Sequence, residues 1–125
     1  MCQSLFFLGG QTNAAEHCCQ GQQTVHMLTQ FHVSKAFISG AALSEQLILA
    51  GYNEHDIAFQ KNAIQAADQT VLMADHRKFS TPAIYSVCRL DEIDYLVTDK
   101  ELNQTELKIL EEMQVICLQA DGKNR

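Results

Sequence analysis

No apolar run in these 125 residues approaches the roughly 18–20 positions that a membrane-spanning helix needs. The apolar start at residues 4–10, SLFFLGG, is too short for a secretory signal and lacks the basic flank of one. Basic side chains are scarce: 9 Lys and Arg face 15 Asp and Glu, a formal net charge of −6. That balance disfavours broad contact with nucleic acid or anionic lipid, so any DNA must be held by another segment. The 5 cysteines are an odd number, with Cys18 and Cys19 adjacent and the others scattered, which argues against a disulfide framework and for a reducing, cytoplasmic setting. Proline occurs once, and no repeat, low-complexity segment or internal linker interrupts the chain. With 46% hydrophobic residues the composition is that of a folded chain, and the length supports one core rather than two, a single domain over residues 1–125.

What is present is an alternation of strand and helix signals. Residues 4–8 read as a short apolar strand stopped by Gly9 and Gly10, whose backbone can take positive φ or approach a ligand closely. Residues 11–20 read as polar and irregular. Apolar spacing at Val25, Leu28 and Phe31 predicts a helix over residues 22–32, followed by a strand at 35–40 ending in Gly40. Residues 41–52 read as a loop or broken helix. The stretch 53–79 organises the rest. Asn53 and Asp56 form a capping pair, and a helix body rich in alanine follows. TVLMA, residues 70–74, then reads as a strand covered on both faces, before a polar tip of Asp75, His76, Arg77 and Lys78. Residues 80–88 form a connector, 94–98 a strand, and 115–118 a closing strand. Between the last two, Asn103 with Glu106 is a capping box and Leu102 with Leu107 a hydrophobic staple, with Leu107, Leu110 and Met113 as the inner stripe. The order β-α-β-α-β-β-α-β predicts an α/β fold with a mostly parallel sheet and flanking helices.

In such sheets ligands bind beyond the carboxyl ends of the strands, so the polar tip after TVLMA is the expected place for chemistry. Asp75 is equally a turn former. Lys61 lies between Ile57 and Ile64 on one helix face; it either snorkels its amine to water or aims a cation at a ligand. Lys78 is either a solvated turn lysine or an anion ligand. His17, Cys18 and Cys19 invite a metal or redox reading, but the paired spacing of structural zinc is absent, and no metal site is assigned.

Four segments together resemble one family. FHVSKAFISG, residues 31–40, resembles the "ADKAF-G" strand in the C-terminal effector-sensing domain of DeoR-type bacterial repressors. FQKNAIQAADQTVLMADHRKF, residues 59–79, is similar to that domain's "VKRAMIEAA…VLLADHSKFG", and LDEIDYLVTD, residues 90–99, to its "LSDIDVLITD". FFLGGQTN, residues 6–13, is similar to its "LLGG" strand and turn, and Gly21 sits where the family has "VGP". The resemblance covers residues 6–118. It implies a non-enzymatic sensor, similar in fold to phosphosugar isomerases and CoA-transferases, that binds a phosphorylated sugar without cofactor and oligomerises. It also implies that DNA is bound only through a helix-turn-helix domain missing from this chain. The effector ligands it implies are Gly10, Gln11, Gly40, Lys61, Asp75 and Lys78, with the Lys61 and Lys78 amines sharing one phosphate pocket. No catalytic residue is assigned.

This sequence departs from the family pattern. The winged helix and the first part of the sensor, with its Gly-Thr-Thr loop, are missing, which reads as a fragment, a truncated product or a reannotated start. Gln22 replaces a proline, and an acidic pair becomes Asp56-Ile57. Sheet edge and apolar surface left bare in this way are expected to drive self-association. The alternative is a phosphosugar isomerase of the same fold, for which Asp75, His76 and Asp99 are the available acid–base groups.

Overall fold

A computed structural model describes residues 4–121. Among them, in chain order, are a hairpin of β1 (Gln11–Asn13) and β2 (Cys18–Gln20), helix α1 (Gln22–Leu28), strands β3 (Val33–Ser39), β4 (Ala42–Leu43) and β5 (Leu49–Gly51), and helix α2 (Glu54–Ala66). Then come β6 (Ala67–Met73), a 3₁₀ turn at His76–Lys78, β7 (Tyr85–Cys88), a second 3₁₀ turn at Leu90–Glu92, β8 (Tyr95–Thr98), α3 (Gln104–Glu112) and β9 (Ile116–Gln119). Strands β3-β6-β8-β9 form an all-parallel four-stranded sheet, the α/β architecture that the element order predicts.

Each connection in this sheet steps to the next strand in the same direction. Right-handed crossovers then land on one face. On that face Ile38, Leu72 and Leu96 stand side by side and are buried with Ile57 and Ala63 of α2, Leu110 of α3 and Val87 of β7. The other face is occupied by Phe37, Val71, Tyr95 and Ile116 in one row and by Met73, Val97 and Leu118 in the next. Phe37, Met73, Ile116 and Leu118 of these are exposed. The expectation that residues 70–74 are covered on both faces holds except at one position. Thr70, Val71, Leu72 and Ala74 are buried, Val71 on the outer face and Leu72 on the inner, and Met73 alone is exposed, at the outer end of the strand.

Helix ends follow local chemistry. The Asn53 side chain caps α2 by accepting from the His55 backbone N–H at 2.8 Å, a one-sided cap in place of the expected pairing with Asp56. The box on α3 is complete in both directions, Glu106 N–H to Asn103 at 2.8 Å and Asn103 N–H to Glu106 at 3.0 Å. The inner stripe of α3 is shifted from expectation: Leu107 is exposed, while Glu106 and Leu110 are buried and Ile109 and Met113 pack on the core. The box and Lys100 together draw Glu106 inward. Helix α1 stops four residues short of the expected 32, where the Thr29 hydroxyl donates to the His26 carbonyl at 2.6 Å.

Four other expectations change. Residues 4–8 form no strand, and Leu5, Phe6 and Phe7 are exposed, with the Phe6 ring 5.3 Å from Phe31. A strand needs a hydrogen-bonded neighbour, and among the described residues none runs beside this segment. Residues 11–20 are a hairpin, not irregular. The supposed loop at 41–52 and the connector at 80–88 hold β4, β5 and β7, which make a small antiparallel sheet, β4-β5-β7. It is seated close under α2, where a Cβ on Gly51 would come within 2.8 Å of Ile57 Cδ1.

Candidate ligand-binding site

A cavity of about 630 Å³ opens at the carboxyl ends of β3 and β6. Its floor is Ser39, which ends β3, with Gly40, and Met73, which ends β6, with Ala74 and Asp75. One wall is the first turn of α2 with the residues leading into it, Gly51, Tyr52, His55 and Asp56, continued by Gln60. The opposite wall is the β1–β2 hairpin, through Glu16, Cys18, Cys19 and Gln20. Lys78 reaches in from the turn that follows β6, and among the described residues it is the only Lys or Arg of the lining.

The backbone sets this geometry. Gly40 N–H donates to the Met73 carbonyl at 3.1 Å, and a Cβ on Gly40 would press on Leu49 at 3.2 Å and Leu72 at 3.3 Å. A larger residue there would have to push those leucine methyls aside by a few tenths of an ångström. Asp75 caps the His76–Lys78 turn, accepting from the Arg77 backbone N–H at 2.9 Å and from its guanidinium at 2.7 and 3.2 Å. This fixes the turn that presents Lys78.

Of the six residues implied as effector ligands, Gly40, Asp75 and Lys78 line the cavity together. Gly10, Gln11 and Lys61 do not. Gln11 is exposed and pairs across the hairpin with Gln20, which does line it. Gly10, at φ +143°, is where a Cβ would collide with the Thr24 hydroxyl; that hydroxyl donates to the Gly9 carbonyl at 2.7 Å. Its glycine serves backbone packing. Lys61 is exposed, and its charge is felt by the Cys88 thiol of β7. Successive helix positions are separated by about 100°, and the position turned to the cavity is Gln60, whose amide donates to the Ser39 carbonyl at 3.0 Å. The shared pocket for two lysine amines is thus not formed; one lysine reaches the cavity. Tyr52, His55 and Gln60 are lining residues that the spacing argument missed. The Asn53 cap was the available signal, since residues beside a helix start near strand ends are natural cavity wall.

The acid–base groups named for an enzyme are engaged elsewhere. The hydrogen-bonded Arg77 guanidinium holds the Asp75 carboxyl down to about 2. His76 sits beside the cavity, not in its lining; its backbone N–H and Nδ1 meet the two Asp99 oxygens at 2.7 and 3.0 Å. These bonds lower the Asp99 pKa and tie the carboxyl ends of β6 and β8 together. Burial pushes the Cys88 thiol up to about 12, which keeps it protonated at neutral pH. Among the described residues no three His, Cys, Asp or Glu side chains gather as a metal ion would need.

A depressed carboxylate stabilises the fold above its unfolded value and ceases to do so below its folded value. Stability is therefore expected to fall as pH drops from the ordinary 3.8 towards about 2. In Asp75→Asn the acid limb of a melting-temperature profile should be shallower; an unchanged limb would assign acid sensitivity to other carboxylates.

The family model described as the DeoR C terminal sensor domain matches residues 2–100. The chain belongs to that family. Among curated relatives, the HTH-type transcriptional repressor GlcR of Bacillus subtilis (strain 168) is 32% identical over 123 residues, 96% of this chain and 47% of GlcR. The glycerol-3-phosphate regulon repressor of Haemophilus influenzae is 28% identical over 105 residues, 84% of this chain and 41% of that protein. The HTH-type transcriptional regulator IolR of B. subtilis is 25% identical over 114 residues, covering 90% of this chain and 45% of its own. The chain thus spans slightly under half the length of these DeoR-family relatives. Their names describe regulators and repressors, not enzymes.

Proposed function

We propose that the chain is the effector-sensing part of a cytoplasmic DeoR-type regulator of sugar metabolism, holding a phosphorylated sugar in the cavity beyond β3 and β6. The observation that carries this reading is Lys78, the one Lys or Arg of the described lining, set at the strand ends of a sensor-family domain. A phosphate group would sit against its ammonium, and the sugar hydroxyls against Gln60, Asp56 and Glu16. Gly40 gives the backbone close approach, and Asp75 positions the lysine through the turn. Gly10, Gln11 and Lys61 belong to this proposal only as supports around the cavity. A volume of about 630 Å³ falls within the roughly 300–1,000 Å³ usual for small-molecule sites. One relative carries a phosphorylated polyol in its name, the glycerol-3-phosphate regulon repressor. DNA contact is assigned to a helix-turn-helix segment outside these residues, and self-association of this part is included in the proposal.

Binding to the native state raises its apparent stability, by about 2.7 kcal/mol at a hundredfold excess over Kd. Titrating a panel of phosphorylated and unphosphorylated sugars should therefore raise the melting temperature by several degrees for a phosphorylated member only. No shift with any of them would remove the effector role. The isomerase alternative is disfavoured by the engagement of Asp75 with Arg77 and of Asp99 with His76. Turnover of a sugar phosphate by the purified chain would reinstate it.

A further inference from the structure

Given the reading of the cavity as the effector site, we infer that Asp99 and His76 are its positioning residues, holding the turn after β6 so that Lys78 faces the ligand. The turn His76–Lys78 is a single 3₁₀ turn, closed by the Lys78 backbone N–H donating to the Asp75 carbonyl at 3.0 Å. That bond and the Asp75 cap fix the shape of the turn but not its place on the sheet. Its place is set by bonds to other elements. On the upstream side Asp99 meets His76 twice, one oxygen accepting from the backbone N–H at 2.7 Å and the other lying 3.0 Å from Nδ1. On the downstream side the Thr81 hydroxyl donates to the Arg77 carbonyl at 3.1 Å. Phe79 there is buried, bridges to Leu43 of β4, and has the Lys100 amine 5.2 Å from its ring centre. Arg77 and Lys78 therefore lie between two anchors, and the consecutive residues Asp99 and Lys100 contribute to both.

A second His–Asp pair shows what is particular about this one. His32 Nε2 and an Asp68 oxygen meet at 2.8 Å at the opposite end of the sheet, before β3 and near the start of β6. Both pairs are exposed, and an exposed ion pair by itself contributes little to stability. The His32 contact joins two side chains, whereas Asp99 also holds the His76 backbone and so fixes where the chain runs. A carboxylate accepting a backbone N–H makes the stronger, charge-assisted kind of hydrogen bond. The His76 ring and backbone N–H together hold Asp99 below the usual carboxylate range, so it keeps its charge at neutral pH. Neither His76 nor Asp99 lines the cavity, so the pair acts on a ligand only through Lys78.

Inorganic phosphate is the probe, its binding followed through the Lys78 backbone amide by NMR. Asp99→Ala should weaken phosphate binding by about three- to tenfold, because the amine is misplaced but not removed. Its melting temperature should move by no more than about 2 °C, since the lost pair is exposed. Asp99→Asn keeps an oxygen for the His76 N–H and should bring affinity back to within about twofold of the parent. In a Lys78→Ala background, Asp99→Ala should weaken binding no further, the non-additivity expected of residues that act through one group. His32→Ala, which breaks the pair at the far end of the sheet, should leave binding unchanged. A second measurement needs no ligand. Nitrogen-15 order parameters of Arg77 and Lys78 should fall from the about 0.85 of rigid backbone to below about 0.6 in Asp99→Ala. Additive losses in the double variant, no recovery in Asp99→Asn, or unchanged order parameters would overturn the inference. Absence of phosphate binding by the parent chain would count against the effector reading instead, and the order parameters would still decide whether Asp99 holds Lys78 in place.

Discussion

Glu106→Ala is expected to lower unfolding free energy by about 2–4 kcal/mol, measured by urea denaturation. The lost cap alone is worth about 1 kcal/mol, and breaking one side of a buried ion pair costs more because the partner's charge stays behind. Glu106 is 5% exposed. It accepts from the Asn103 backbone N–H at 3.0 Å and from the Lys100 amine at 2.6 Å, and that amine lies 5.2 Å from the centre of the Phe79 ring. Three elements therefore meet on one carboxylate: the start of α3, the end of β8 and the chain leaving the Lys78 turn. Glu106→Gln retains an acceptor for the Asn103 N–H but removes the charge, so its loss should be roughly half as large, about 1–2 kcal/mol. A loss below about 1 kcal/mol in Glu106→Ala would mean that Lys100 reorients into water and the pair behaves like a surface ion pair.

Lys78→Ala should weaken binding of the phosphorylated effector by about ten- to a hundredfold, since one charge-assisted hydrogen bond contributes about 1.5–3 kcal/mol. Isothermal titration with the sugar phosphate found by the melting screen is the direct measurement. The ligand-free melting temperature should barely change, because Lys78 projects from a turn and is not part of the core. Lys61→Ala should stay within about twofold of the parent, a change of roughly 0.4 kcal/mol. The contrast between the two lysines is the informative result. Equal losses would require Lys61 to reach the ligand through a rearrangement of α2, and the site as described would need redrawing.

The lysines also show where reading residues in order stops working. Both carry the same charge, and the family resemblance implied both as ligands. Which one reaches the cavity depends on the rotation of α2 against the sheet, and that is set by Ile57 and Ala63 seating on residues far away in sequence. One helical position decides the outcome, and Gln60 has it. Residues 41–52 failed for a different reason. Strands of two and three residues are too short to show a period, and β5 is held between β4 and β7, the latter more than thirty residues later in the chain. Leu107 was placed on the inner stripe of α3 by its hydrophobicity, but the capping box and Lys100 turned Glu106 inward in its place.

Signals confined to a few neighbouring residues survived: helix starts at Asn53 and Asn103, the strands around Phe37, Leu72 and Leu96, and the turn after β6. Each depends on bonds or periods that close within one turn or one strand, so the chain carries them wherever it goes. The sequence by itself determined those elements and the family to which they belong. Tertiary structure alone decided that one lysine, not two, lines the cavity and that, among the described residues, Phe37 and Met73 stand exposed on the outer side of the sheet. Both outcomes follow from where crossovers land and how a helix is rolled, which are properties of contacts between distant segments.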